Sequence, residues 1–107
     1  MIWYNVTVKI ENDVAEDFQS WMTHMHIPDV LATGYFSSSK MSRIINREDK
    51  EETTFSIQYA CESMKDLHHY QINESERLQA EVKEKYDGKF VSFRSIMEEL
   101  FVLEGKK

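Results

Sequence analysis

From Ile2 to Ile10 the chain alternates without a fault. Ile2, Tyr4, Val6, Val8 and Ile10 share one face, and Trp3, Asn5, Thr7 and Lys9 share the other. A period of two sustained this long specifies a strand. Thr53 to Ala60 repeats the pattern, with Phe55, Ile57 and Tyr59 facing one way and Ser56 and Gln58 the other. Tyr35 to Arg47 reads as a further strand, less regular and carrying three consecutive Ser, and the polar run Glu48–Glu52 makes a charged turn to the next. Two strands joined by a short polar turn form an antiparallel hairpin. Phe90 to Leu103 supplies the last strand, with a bulge or bend expected at Glu98-Glu99.

Between these strands the period changes. Val14, Phe18, Trp21, Met22 and Met25 recur at helical spacing behind a cap from Asn12 or Asp13. Pro28 disfavours the α conformation at Ile27, which predicts a helix end near His26. A short second turn of helix then opens at Pro28 and closes before Gly34. Ser63-Met-Lys-Asp66 matches a capping box. The helix it opens carries Met64 and Leu67, and later Leu78, Val82 and Tyr86, with an interruption at Asn73–Ser75 and an end at Asp87-Gly88.

The order is therefore β-α-β-β-α-β, the α+β ferredoxin-like unit, whose antiparallel sheet carries both helices on one face. The other face must be polar or covered. Trp3 on the first strand and Val91 and Phe93 on the last make it mixed. The simplest cover is the sheet of a second copy, which predicts a homodimeric α+β barrel. At 107 residues one domain is expected, residues 1–104, with 105–107 as a frayed tail.

A net charge of -6 disfavours nucleic acid and anionic membranes as partners. No apolar run approaches the ~20 residues of a spanning helix, and the N-terminus lacks the pattern of a signal peptide. The lone Cys61 makes no internal disulfide and no cysteine-rich zinc site, in keeping with a reducing, cytoplasmic setting.

The opening Ile-x-Tyr-Asn-Val-Thr-Val, the segment Trp21-Met-x-x-x-His26-Ile-Pro-x-Val-Leu-Ala-Thr-Gly34, the Ser-Ile-Gln-Tyr59 strand and Lys89-Phe-Val-x-Phe-Arg94 together resemble a family of small bacterial proteins, mainly from Bacteroidetes, known only as a domain of unknown function. The resemblance implies a dimeric ferredoxin-like barrel and no particular activity. A looser likeness in fold reaches antibiotic-biosynthesis monooxygenases, muconolactone isomerases and haem-degrading monooxygenases, which place a pocket between helices and sheet.

The candidate site residues follow from the chemistry their neighbours lack. His24 and His26 stand two apart, so on a continuous helix they point ~200° apart and cannot share a metal, while at an unwound helix end or in an extended segment they could. No metal site is expected. His26 has the titration range of a proton shuttle. Arg94, in an otherwise apolar strand, offers a planar fork for a carboxylate or an oxyanion. Asn5 sits mid-strand, where Asn is disfavoured, and needs a partner if buried. With Trp3 and Trp21 these residues could line an aromatic pocket for a small apolar or anionic molecule.

Three readings stay open: a binding module, a cofactor-independent oxygenase or isomerase using His26 and Arg94, and a pure assembly domain. The haem-degrading barrels imply a fourth through Asn5, Tyr59 and His69, where Tyr59 stands in place of their Trp. No cofactor is expected.

Overall fold

The computed structural model describes residues 1–45 and 50–106. Four strands, β1 (Ile2–Glu11), β2 (Ser38–Ile44), β3 (Glu52–Cys61) and β4 (Phe90–Glu98), form one sheet in the order β2-β3-β1-β4, every pair antiparallel. The helices α1 (Asn12–Trp21), α2 (Ile27–Ala32), α3 (Met64–Asn73) and α4 (Ser75–Tyr86) fill the two crossovers. This is the expected ferredoxin-like α+β architecture, and β1, bonded on both sides, is central. The third strand gains Glu52 and Cys61 over the expected span. The second runs over Ser38–Ile44 within its expected span, and residues 46–47 of that span and the Glu48-Asp49 portion of the charged turn lie outside the described residues.

Register sorts the side chains. Tyr4 stands opposite Tyr59 and Ile96, Val6 opposite Ile57 and Arg94, and Ser39 opposite Tyr59, all on the helix side. Trp3, Asn5, Thr7 and Lys9 share the open side with Phe93 and Val91 of β4. The core lies under the helices and is largely aromatic. Phe18 packs on Phe55 and edge-on against Tyr86, and Tyr4, Phe36, Tyr59 and Tyr70 make a second cluster. The Tyr86 hydroxyl closes the first cluster by donating to Asp17 Oδ2 at 2.6 Å.

The first crossover departs from the sequence expectation. It does not stop at His26. A π-helical turn spans Met22–His26, the Ile27 N–H donates to the Met22 carbonyl, and Ile27 keeps helical angles (φ -61°, ψ -45°) into α2. A proline inside a helix lacks an N–H and crowds the carbonyl four residues back. Widening the turn beneath it removes that conflict, which is why Pro28 is tolerated here.

The inserted residue also resets the buried stripe. Phe18, Met22, His26 and Val30 all face the core. Steps of four drift ~40° each on a regular α-helix, and the π turn takes up the drift. Met25, expected in the stripe, is 55% exposed instead.

Two other details differ. Asn12 does not cap α1. Its amide donates to the Lys50 carbonyl at 2.9 Å and its oxygen accepts from Thr53 Oγ1 at 2.7 Å, fastening the start of α1 to β3. The final strand ends at Glu98, and Glu99 to Lys106 has no regular structure. One half of the capping box is made, with Ser63 Oγ accepting from the Asp66 N–H, and α3 gives way to α4 at Glu74. Gly34 and Gly88 take positive φ at the helix ends.

The shifted register predicts opposite outcomes for neighbouring positions. In urea denaturation, Phe18→Ala should cost about 3–5 kcal/mol, while Met25→Ala should change stability by about 0.5 kcal/mol or less.

Candidate functional site

The sequence candidates do not line one pocket. Strand alternation puts Trp3 and Asn5 on the open side of the sheet and Arg94 on the helix side. Trp21 and His26 lie in the helical layer against α4. Asn5 is buried, and its hydrogen bonds are made within the sheet. Its Nδ2 donates to Thr7 Oγ1 at 3.0 Å, and Ser56 Oγ donates to its Oδ1 at 2.6 Å. Trp3 Nε1 donates to Glu99 at 3.3 Å. His69 is exposed beside Tyr35 on α3, while Tyr59 is buried on the helix side. Asn5, Tyr59 and His69 therefore do not converge as a haem site would require.

The two histidines diverge. His24 is exposed, with Nδ1 2.8 Å from the Ser20 carbonyl. His26 is 7% exposed and stacks on Trp21, with ring centroids 5.0 Å apart. Among the described residues no group of three His, Cys, Asp or Glu is placed to hold a metal. His26 Nδ1 is buried without a hydrogen-bond partner, and Glu81 Oε2 lies 3.8 Å away. That separation is too long for a hydrogen bond, and an ion pair would need a charged ring. Burial lowers the His26 pKa to about 4, against a smaller opposing pull from Asp29, so the ring is neutral at pH 7.

A different constellation collects unsatisfied polarity. Tyr4, Tyr59 and Tyr70 are nearly fully buried, with Phe36 packed among them at centroid distances of 4.8–6.2 Å. The Tyr59 and Tyr70 hydroxyls make no hydrogen bond with any described residue. Ser39, opposite Tyr59 on β2, keeps its Oγ buried and unpartnered as well. Arg94 brings a cation whose charge is felt at Tyr4, Tyr59 and Tyr70, and Arg77 adds a weaker one at Tyr70.

The electrostatics of this cradle favour donors over bases. Burial raises the pKa of Tyr59 and Tyr70 well above the ordinary phenol value, reinforced by their phenol neighbours and only partly opposed by Arg94. Burial raises Tyr4 too. At neutral pH three protonated phenols lie in the aromatic packing, with Ser39 on β2 and the exposed guanidinium of Arg94 on β4 to either side. Such a set recognises an oxyanion carried on an apolar body.

Arg94 and Tyr59 were legible as candidates in the sequence, but Tyr4, Ser39 and Tyr70 were not. Tyr70 had a signal, falling three residues after Leu67 on the buried side of α3. Tyr4 was visible only as a core position of β1.

The chain belongs to the family described as Domain of unknown function (DUF4286), whose profile matches residues 1–100. No curated protein is similar to it in sequence. Solved structures of low sequence identity share its fold. An ethyl tert-butyl ether d (ethd) family protein from Bacillus halodurans is 15% identical, with a TM-score of 0.65 over 94% of this chain and 100% of that one. A dimeric ferredoxin-like protein from an uncultured marine organism is 14% identical, TM-score 0.61, over 96% and 100%. A cofactor-independent oxygenase from Streptomyces nogalater is 8% identical, TM-score 0.63, over 97% and 98%.

The buried imidazole makes stability depend on pH. The unfolded chain binds the His26 proton near pH 6.5, and the folded chain only near 4. Acid therefore favours unfolding. The neutral-ring contribution is fully present above pH 6.5 and is lost as pH falls toward 4, on the order of 2–3 kcal/mol in all. Urea midpoints measured from pH 7.5 to 4.5 should fall, and His26→Leu should flatten the part of that fall lying between pH 6.5 and 4.5.

Proposed function

We propose that this DUF4286 domain is a homodimer whose protomers each bind a small organic anion, a carboxylate or similar oxyanion on an apolar body, in the cradle of Tyr4, Ser39, Tyr59, Tyr70 and Arg94. The observation that carries the reading is a row of hydroxyls without a protein partner, Ser39 Oγ fully buried and the Tyr59 and Tyr70 hydroxyls on buried residues, in a field set partly by the Arg94 guanidinium. Buried polar groups are normally satisfied, because leaving one unmade costs about 1–3 kcal/mol. The buried, unpartnered Ser39 Oγ and the two phenols without a protein partner are donors open to acceptors from elsewhere. Arg94 is exposed at the β4 edge of the sheet, so the anionic head meets it first and the aromatic body follows toward Phe36 and Tyr70.

The homodimer rests on the uncovered sheet side, where Phe93 and Val91 are more than half exposed beside Trp3. Paired sheets would bury that strip. The dimeric ferredoxin-like neighbour supports the same arrangement.

A binding role accounts for the cradle better than catalysis does. An oxygenase or isomerase using His26 and Arg94 needs the two side chains at one substrate, and they contact different neighbours on different elements. The cradle itself holds donors and no group poised to accept a proton at neutral pH.

Titration with benzoate, followed by amide chemical shifts, tests the reading. Shifts should concentrate on β1, β3, α3 and β4 around Tyr4, Tyr59, Tyr70 and Arg94. Arg94→Gln should weaken binding about tenfold or more, Tyr59→Phe by a smaller factor, and neutral benzamide should bind more weakly than benzoate. Equal binding of benzoate and benzamide, or shifts confined to the open side of the sheet, would sink it.

A further inference from the structure

After Glu98 the chain leaves the sheet as an arm with no support of its own. The Glu99 N–H donates to the Met1 carbonyl at 3.0 Å, which extends the β1–β4 ladder to the first residue of the chain. Residues 100–106 make no hydrogen bond with any described residue. Yet the arm opens with Leu100, Phe101, Val102 and Leu103, exposed to 85%, 79%, 66% and 79%. Four consecutive large apolar side chains in water, on a backbone outside any regular element and with unpaired N–H and C=O groups, describe half of a strand pairing.

The other half is present on the same chain. β2 is an edge strand, bonded only to β3, and its outer edge is open. Its side chains include three small serines, Ser38, Ser39 and Ser42, which leave room beside it. It runs out into Ile44 and Ile45, both exposed. β3 and β1 stand between the arm and its own β2, whereas a second copy can bring its β2 edge directly alongside the arm. Each copy then gives an arm and receives one, as two-fold symmetry requires. A membrane is a weaker alternative occupant, because the three carboxylates of Glu98, Glu99 and Glu104 beside the apolar run outnumber Lys106 and Lys107 and leave the segment net acidic.

We propose that the C-terminal arm, Glu99 to Lys106, exchanges between two copies and adds as a fifth strand to the outer edge of the partner's β2. The inference rests on the homodimer of the preceding reading and names what locks it. The arm would lie beside Ser39, so it also places the second copy against the β2 side of the hydroxyl cradle.

The test compares the full chain with a chain ending at Glu99, and with Phe101→Asp and Ile44→Asp. The removed arm touches none of the core, so the shortened chain should keep its far-ultraviolet circular dichroism. Sedimentation velocity should show a full-length dimer at micromolar concentration, and a dissociation constant raised at least about a hundredfold in all three variants. Hydrogen exchange should protect the β2 amides in the full-length dimer and release them on truncation. A full-length monomer would overturn the homodimer and this proposal together. A truncated chain that dimerises as tightly as the full one, or an Ile44→Asp chain that does so, would overturn the arm exchange alone. Vesicle co-sedimentation of the full chain at the expense of dimer would assign the arm to lipid and likewise overturn it.

Discussion

The domain depends on the two-sidedness of β1. Hydrogen-bonded to β3 on one side and β4 on the other, it has no freedom to slip, since a one-residue shift would carry Tyr4, Val8 and Ile10 out of the core. What β1 places on its helix side sets the core and the hydroxyl cradle. What it places on its other side sets the surface available to a second sheet. The separation of Arg94 from Asn5 follows from this one constraint, because Arg94 pairs with Val6 and so inherits the helix side.

Most of the architecture was legible because it rests on period. The alternation of Ile2–Ile10 and Thr53–Ala60, the capping box at Ser63 and the break near Glu74 all describe local backbone chemistry, and the folded chain keeps them. The first crossover was less legible for a physical reason. Pro28 was read as a stop under the rule for regular α-helix, while the chain accommodates it by widening one turn. No local pattern distinguishes a helix that ends from one that swells, and the tertiary value of burying His26 and Val30 decides between them. The same shift expels Met25, whose spacing looked sound.

The site was harder to read than the fold. Residue type pointed to His26, Asn5 and Arg94, because polar groups in apolar stretches draw notice. Tyrosine in a core position draws none, since its ring satisfies the apolar pattern and its hydroxyl goes unremarked. Tyr4 and Tyr70 were therefore concealed by fitting well. Only the three-dimensional register, which sets Ser39, Tyr59 and Tyr4 in one row across the sheet, shows that these hydroxyl-bearing side chains share one face of neighbouring strands. His26 is a related case: its polarity is real, but burial keeps the ring uncharged and the π turn holds it as a packing element.

The seam of Asn5, Thr7 and Ser56 on the open side has a thermodynamic meaning for whatever covers it. Ordinarily a surface closing over an amide and two hydroxyls must strip their water, and that dehydration opposes association. Here much of their hydrogen-bonding capacity is already taken up by one another inside a single sheet, and Asn5 and Thr7 are buried in the lone protomer. Most of the dehydration is met during folding, before any encounter. To an approaching surface the middle of the sheet behaves much like hydrocarbon, although its sequence reads as polar.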